Sequence, residues 1–351
     1  MRFGPVPLAE AGGAILAHGL ALPDGPLRKG QILDAADLAR IAAAGLDHVT
    51  VARLDPGDCP EDAAARAIAQ ALVPDPAGQG LRIGGAAKGR VNLHATGPGI
   101  IVLDAARIGR MNAVHPMLTL ATLPPWQRVQ AGAMVATVKI IAYGVPGPAV
   151  AAAVAAVGAA VGAAVGAGVG AVVGAATDGA IRRAPPLLTS ATLIETVLPG
   201  PPPGPKGRAA MAVRLDRLAA RLTPPLRVPH QAGPLAQAIR AAPGQAVLIL
   251  TASATSDPDD VAPAALRLAG GRVIRFGMPV DPGNLLMLGD LDGRPVIGLP
   301  GCARSPALNG ADWVLERVIC GQPVTAADIA AMGVGGLLKE MPSRPRPRDT
   351  D

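Results

Sequence analysis

The sequence predicts an α/β chain, with a mostly parallel sheet flanked by helices in the C-terminal half and a smaller mixed α+β domain before it. Three observations predict this. Strand-like and helix-like runs alternate regularly after Pro185-Pro186, the run Ala246-Val247-Leu248-Ile249-Leu250 is apolar enough to be buried on both faces, and an Ala/Gly/Val-rich block separates the two halves. Such alternation argues for a parallel sheet covered by helices, whose ligands collect at the carboxyl ends of the strands.

A chain of 351 residues, half of them hydrophobic, buries a large core and suggests two domains at roughly 150 residues each. Aromatic residues are 1 %, so no aromatic platform exists for stacking single-stranded nucleic acid. The net charge of +6 comes from scattered Arg rather than a basic run, which points to a small phosphorylated ligand instead of a polynucleotide. Cys59, Cys302 and Cys320 are too few and too far apart for a disulfide framework, as expected of a reducing cytoplasm. Met1 to Pro5 lacks a basic region followed by an apolar core, so no secretory signal is expected there. His18, His48, His94, His115 and His230 have no mutual metal-ligand spacing.

Residues 1–143 read as one α+β unit. Helices are expected over Leu8 to Leu20, from Asp34 or Asp37 to Gly45, and over Glu61 to Leu72. Strands are expected at His48 to Ala52, Gly99 to Leu103 and Met134 to Ile141. Residues 144–186 form a connector. No charge occurs between Lys139 and Asp178, and Gly158, Gly162, Gly166, Gly170 and Gly174 recur every fourth position. The stretch is long enough to cross a bilayer, yet Ala149 to Ala176 has no Leu, Ile or Phe. Each interior Gly also costs a helix about 1 kcal/mol relative to Ala, so a connector is preferred to a membrane span. Residues 187–335 carry the α/β pattern. Thr192 to Leu198 reads as a strand, Arg208 to Leu222 as a helix, Leu226 to Val228 as a strand and Pro234 to Ala241 as a helix, ahead of the buried run at 246–250. Residues 336–351 are a Pro/Arg-rich tail, extended for linking or docking.

Two turns at strand ends are the candidate sites. Thr251-Ala252-Ser253-Ala254-Thr255-Ser256-Asp257-Pro258-Asp259-Asp260 offers hydroxyls and carboxylates to a polar heterocycle; the plainer alternative has Asp259 or Asp260 capping the next helix. The run Gly298-Leu299-Pro300-Gly301-Cys302-Ala303-Arg304-Ser305-Pro306 leads into a helix expected over Ala307 to Cys320. Ser305 would cap that helix, its free amides would receive an anion, and Arg304 would add a bidentate contact. The plainer alternative is an ordinary capped helix with a surface Arg. Cys302, near that helix start, is a candidate thiol contact to the ligand.

The runs Gly277-Met278-Pro279-Val280-Asp281-Pro282-Gly283-Asn284 and Gly293-Arg294-Pro295-Val296-Ile297-Gly298-Leu299-Pro300-Gly301 resemble the closing half of molybdopterin-binding domains of molybdopterin molybdenumtransferases and adenylyltransferases. In that family a Pro-Gly-Lys-Pro turn and a Gly-Leu-Pro-Gly-Asn-Pro turn lie beside the pterin phosphate. Asp260-Val261-Ala262-Pro263 is similar to an Asp-Val-Thr-Pro segment of the family's acidic pterin loop, and Leu27 to Leu33 with Val49 to Val51 resembles an N-terminal stretch of the molybdenumtransferases. The chain departs from the family in three places. It lacks an Asp-Gly-Tyr-Ala-like catalytic segment, Thr251-Ala252 stands where Gly-Gly is usual, and Asn284 replaces a basic residue.

The resemblance implies a molybdopterin-binding protein of molybdenum-cofactor biosynthesis or delivery. The ligand would contact Thr251, Ser253, Ser256, Asp259, Pro282, Gly283, Asn284, Gly298, Pro300, Gly301, Arg304 and Ser305. If the chain is catalytic, Asp257 and Asp260 would serve insertion of molybdate, with Mg²⁺, into molybdopterin or its nucleotide form. Otherwise it is a non-catalytic carrier or adaptor for a nucleotidyltransferase or a molybdoenzyme. Self-association is expected from the resemblance alone.

Overall fold

The computed structural model describes residues 1–158, 179–201, 203–281 and 283–338. The N-terminal 53 residues form a three-stranded antiparallel sheet in which His48–Arg53 pairs with both Arg2–Pro7 and Ile15–Leu16. The helix Ala35–Ala43 covers it. Asp34 caps that helix by accepting the Asp37 N–H, and Gly45, at φ 78°, turns the chain out. The helix expected over Leu8 to Leu20 does not form. Only Leu8–Glu10 makes a single 3₁₀ turn, and Ile15–Leu16 is a strand. Its apolar residues recur near helical spacing, but Ala11, Ala14 and Leu16 are buried by packing in this small lobe's own cluster, and Gly12-Gly13 breaks the run.

Residues 58–184 hold a second buried cluster, gathered between Glu61–Leu72, the helix Ala105–Val114 and the four-stranded sheet that includes Met134–Ile140. The connector contributes to it. Gly147–Gly158 is a helix with Val150, Ala153 and Val157 buried, and Ile181–Ala184 pairs with Gly99–Leu103. The rest of the Gly-every-fourth-position repeat, residues 159–178, and the Pro/Arg tail from 339 lie outside the described residues. Among the described residues no helix is long and apolar enough to cross a membrane.

The C-terminal sheet positions the candidate site. Its elements run β1 (Ser190–Val197), α1 (Lys206–Asp216), β2 (Arg221–Leu222), β3 (Leu226–Pro229), α2 (Ala232–Ala241), β4 (Ala246–Leu250), α3 (Val261–Leu268), β5 (Arg272–Met278), β6 (Asn284–Leu291), β7 (Arg294–Gly298) and α4 (Gly310–Ile319). β1 pairs in parallel with β2, β3 and β4, and β4 in parallel with β7. The sheet is finished by antiparallel strands, β6 beside β7 and β5 beside β6. Short turns force that change of direction, since a parallel return needs a long crossover. Between β6 and β7 the turn is Asp292-Gly293, both at positive φ, the geometry in which Asp-Gly closes a hairpin.

Both faces of β4 are covered. Leu248 and Leu250 join Met211, Leu215 and Val314 on the α1/α4 side, whereas Val247 and Ile249 join Leu235, Ile239 and Leu266 on the α2/α3 side. Hence the strand is apolar throughout. The helix expected to reach Leu222 stops at Asp216, because Ala219 turns left-handed (φ 54°) and Arg221–Leu222 joins the sheet edge beside β1. The middle and C-terminal lobes are joined by an Arg128–Glu316 ion pair (2.7 Å), an Arg182–Gln322 hydrogen bond (3.0 Å) and the Arg317 guanidinium stacked 4.4 Å from the Trp126 ring centre.

Candidate functional site

Strands β1, β3, β4 and β7 run the same way, and three cavities open where they end. The largest, about 870 Å³, lies between Pro203–Pro205, the first turns of α1 (Lys206, Gly207, Ala209, Ala210, Val213) and the segment Gly301–Pro306. A smaller one, about 130 Å³, is lined by Leu250, Thr251, Ala252, Ser253, Ala254, Thr255, Leu285, Leu299, Pro300, Gly301 and Arg304. The third, about 310 Å³, lies beside Val197–Pro199 and Pro229–Gln231.

Arg304 is the residue that unites the first two. It lines both, and its Nη2 donates to the Thr251 carbonyl oxygen at 2.7 Å, so the turn after β4 meets the turn after β7. Its Nη1 rests against the start of α1, where a Cβ at Gly207 would approach within 3.3 Å. A side chain at this position would press on Arg304 and Leu250, so glycine here serves close packing rather than backbone freedom. Lys206 opens α1, whose first turn has no acidic residue and whose N-cap, Pro205, offers no side-chain cap. Two cations and an uncapped helix start therefore face one cavity, and no carboxylate is among the described residues lining any of the three. This arrangement favours an anion.

The segment Gly301–Leu308 is held from below by Arg214, 6 % exposed on α1. Its guanidinium pairs with Asp312 and donates to the carbonyls of Ala303 (3.0 Å), Ser305 (2.8 Å) and Ala307 (3.0 Å). The helix expected from Ala307 begins instead at Gly310. Ser305 is not its cap. Gly301–Arg304 forms a 3₁₀ turn, the chain bends at Ser305 to Ala307, and Asn309 caps α4 in a reciprocal box: its side chain accepts the Ala311 N–H at 2.9 Å, and Asp312 accepts the Asn309 N–H at 2.8 Å. The Ala311 and Asp312 N–H groups are thus taken by Asn309, and Gly310 to Asp312 are buried, so the start of α4 does not lie at Ser305 where the anion was expected. Ser305 still lines the large cavity, as does Cys302, whose Sγ accepts the Asn309 Nδ2–H at 2.8 Å.

The other expected contacts divide. Thr251, Ser253, Pro300 and Gly301 line the small cavity, with the Thr251 and Thr255 hydroxyls 3.4 Å apart. The acidic residues face their own loop. Asp260 accepts the Val261 N–H (2.6 Å) as the α3 cap and the Ser256 N–H (3.0 Å), Asp257 accepts the Asp259 N–H (2.8 Å), and Asp259 pairs with Arg267 at 3.0 Å. Gly298 is packed on Met287 inside the sheet. Asn284 is buried, its Nδ2 directed to Asn309 Oδ1 at 3.4 Å and its Oδ1 accepting the Leu286 N–H, while Gly283 is an exposed turn residue at φ 93°. Pro282 lies outside the described residues. No group of His, Cys, Asp and Glu able to hold a metal occurs among the described residues.

The model of a domain of unknown function (DUF8806) matches residues 5–53, the span of the small N-terminal lobe. No curated protein matches the chain. Among solved structures, the chain is similar to the molybdopterin biosynthesis protein MoeA from Pyrococcus horikosii, at 16% identity over 91% of this chain and 75% of that one, with a TM-score of 0.29.

Sequence reasoning missed Lys206, Gly207, Arg214 and Asn309. Two of these had signals: Lys206 follows a Pro/Gly turn at a strand's carboxyl end, and Asn309-Gly310-Ala311-Asp312 has the spacing of a capping box. Arg214 had none, since a buried guanidinium bonded to the carbonyls of a distant turn leaves no local pattern.

Proposed function

We propose that this chain binds molybdopterin and serves molybdenum-cofactor biosynthesis or delivery. The phosphate sits at the basic end of the large cavity, between Lys206 and Arg304 beside Gly301 to Ser305, and the heterocycle enters the small hydroxyl-lined cavity at Thr251 to Thr255. The observation that carries the reading is Arg304 lining both cavities while bonded to Thr251, which brings the turns after β4 and β7 onto one ligand-sized space. A guanidinium offers a phosphate two parallel donors, and the neighbouring hydroxyls and amides suit a ring rich in polar edges.

Between insertion and carriage, the site favours carriage. Asp257 and Asp260 accept N–H groups of their own loop and of the α3 start, Asp259 pairs with Arg267 of α3, and none of the three lines a cavity, so no step through Mg²⁺ or molybdate is derived from them. Binding and orientation remain as what these residues do. Fluorescence titration of the purified chain with a pterin bearing a phosphorylated side chain tests this. Saturable binding is expected, with Arg304→Gln weakening it at least about tenfold, the worth of one charge-assisted contact. Absence of saturable binding, or an Arg304→Gln variant that binds as well as the parent, overturns the assignment. Release of molybdenum cofactor from a molybdopterin and molybdate mixture would overturn carriage in favour of insertion.

A further inference from the structure

Thr196, 1 % exposed on β1, joins the third cavity to the second. Its Oγ1 accepts the Ala252 N–H at 2.8 Å and lies 2.9 Å from His230 Nδ1. A hydroxyl carries one proton and two acceptor sites. The arrangement that uses every group has Ala252 donating to Thr196, and Thr196 donating to an unprotonated Nδ1. His230 is itself anchored, because its backbone N–H donates to the Val197 carbonyl at 2.9 Å as an extension of the β1–β3 pairing, and Pro229 precedes it. Ala252 is part of the wall of the hydroxyl-lined cavity.

We propose that His230 is a positioning residue for that cavity: through Thr196 it holds the Ala252 amide, and with it the Thr251–Thr255 turn, in the shape that receives the heterocycle. The ligand's identity in this inference rests on the reading given under Proposed function; the positioning contact does not. Without the imidazole the Thr196 proton loses its acceptor, the hydroxyl can turn away from Ala252, and the turn loses one of the bonds that tie it to β1. The same peptide group also meets the phosphate end, because the Thr251 carbonyl beside the Ala252 N–H accepts the Arg304 guanidinium at 2.7 Å.

Two pairs of variants in the full chain separate positioning from bulk. Asn places its amide oxygen where His has Nδ1, whereas Gln places its terminal group nearer Nε2. His230→Asn and Thr196→Ser should therefore retain the contact, and His230→Gln and Thr196→Val should break it. Residue-resolved amide exchange should show the Ala252 N–H exchanging about tenfold faster in the second pair and within about twofold of the parent in the first. The phosphorylated pterin should bind about tenfold more weakly to the second pair and within about twofold of the parent to the first. His230→Asn behaving like His230→Gln, or Ala252 exchange unmoved in Thr196→Val, overturns the proposal. A parent chain that ignores the pterin while the exchange pattern holds sinks the ligand reading and supports the positioning contact.

Discussion

Replacing Arg214 by Met should reveal how the cavity-lining segment is built. The guanidinium is 6 % exposed, pairs with an Asp312 of equal burial, and supplies donors to the carbonyls of Ala303, Ser305 and Ala307. Methionine fills much of the same volume but leaves a buried carboxylate without its cation and three carbonyls without their donor. Removing one partner of a buried pair costs about 3–5 kcal/mol. For a cooperative unit of 150–250 residues each kcal/mol moves Tm by about 2–4 °C, so a fall of roughly 6–20 °C is expected. The double variant Arg214→Met/Asp312→Asn removes the orphaned charge while its amide oxygen can still accept the Asn309 N–H, and it should recover about half of the loss. Differential scanning calorimetry of both variants is the assay. An Arg214→Met chain within about 1 kcal/mol of the parent, or a double variant no more stable than the single one, would refute the idea that this pair anchors Gly301–Leu308.

Asp260→Ala should cost about 1 kcal/mol in urea unfolding, as loss of a helix cap does, and leave pterin binding within about threefold; a hundredfold binding loss at unchanged stability would return the carboxylate to the ligand. Burial pushes the Glu316 carboxyl up, with the Arg128 hydrogen bond opposing it. The folded state therefore keeps this proton where the unfolded state has lost it, so Glu316's contribution to stability falls as pH rises from about the ordinary Glu value through the raised one. Measured as parent minus Glu316→Gln across that range, the stability difference should decline with pH, and a rise would contradict the burial argument. The Cys320 thiol is buried and pushed up to about 12, whereas Cys302 is exposed in the large cavity. In the folded chain at pH 8 an aromatic disulfide reagent should modify Cys302 and spare Cys320, which reacts only after denaturation; early loss of the Cys320 thiol in a Cys302→Ser background would show that the core opens locally.

Local chemistry alone determined a good part of this protein. Glu61–Leu72 is a helix because its apolar residues recur at helical spacing, Ala35–Ala43 begins where Asp34 caps it, and Ala246–Leu250 is buried on both sides as its unbroken apolar run requires. The turns after β4 and β7 were legible as candidate sites for the same reason, since strand ends followed by helices are written in contiguous residues. Asp292-Gly293 is a local signal for the antiparallel β6–β7 hairpin, which the expected mostly parallel sheet did not include. Tertiary structure decided the rest. Leu8 to Leu20 fails as a helix because a small lobe buries Leu16 as a strand residue. Which distant guanidinium holds a turn depends on partners up to about a hundred residues away, such as Arg214 and Asp312, where |i−j| is 98. Propensity and capping act within a few residues of the chain, whereas burial and charge pairing are set by whatever the fold brings alongside.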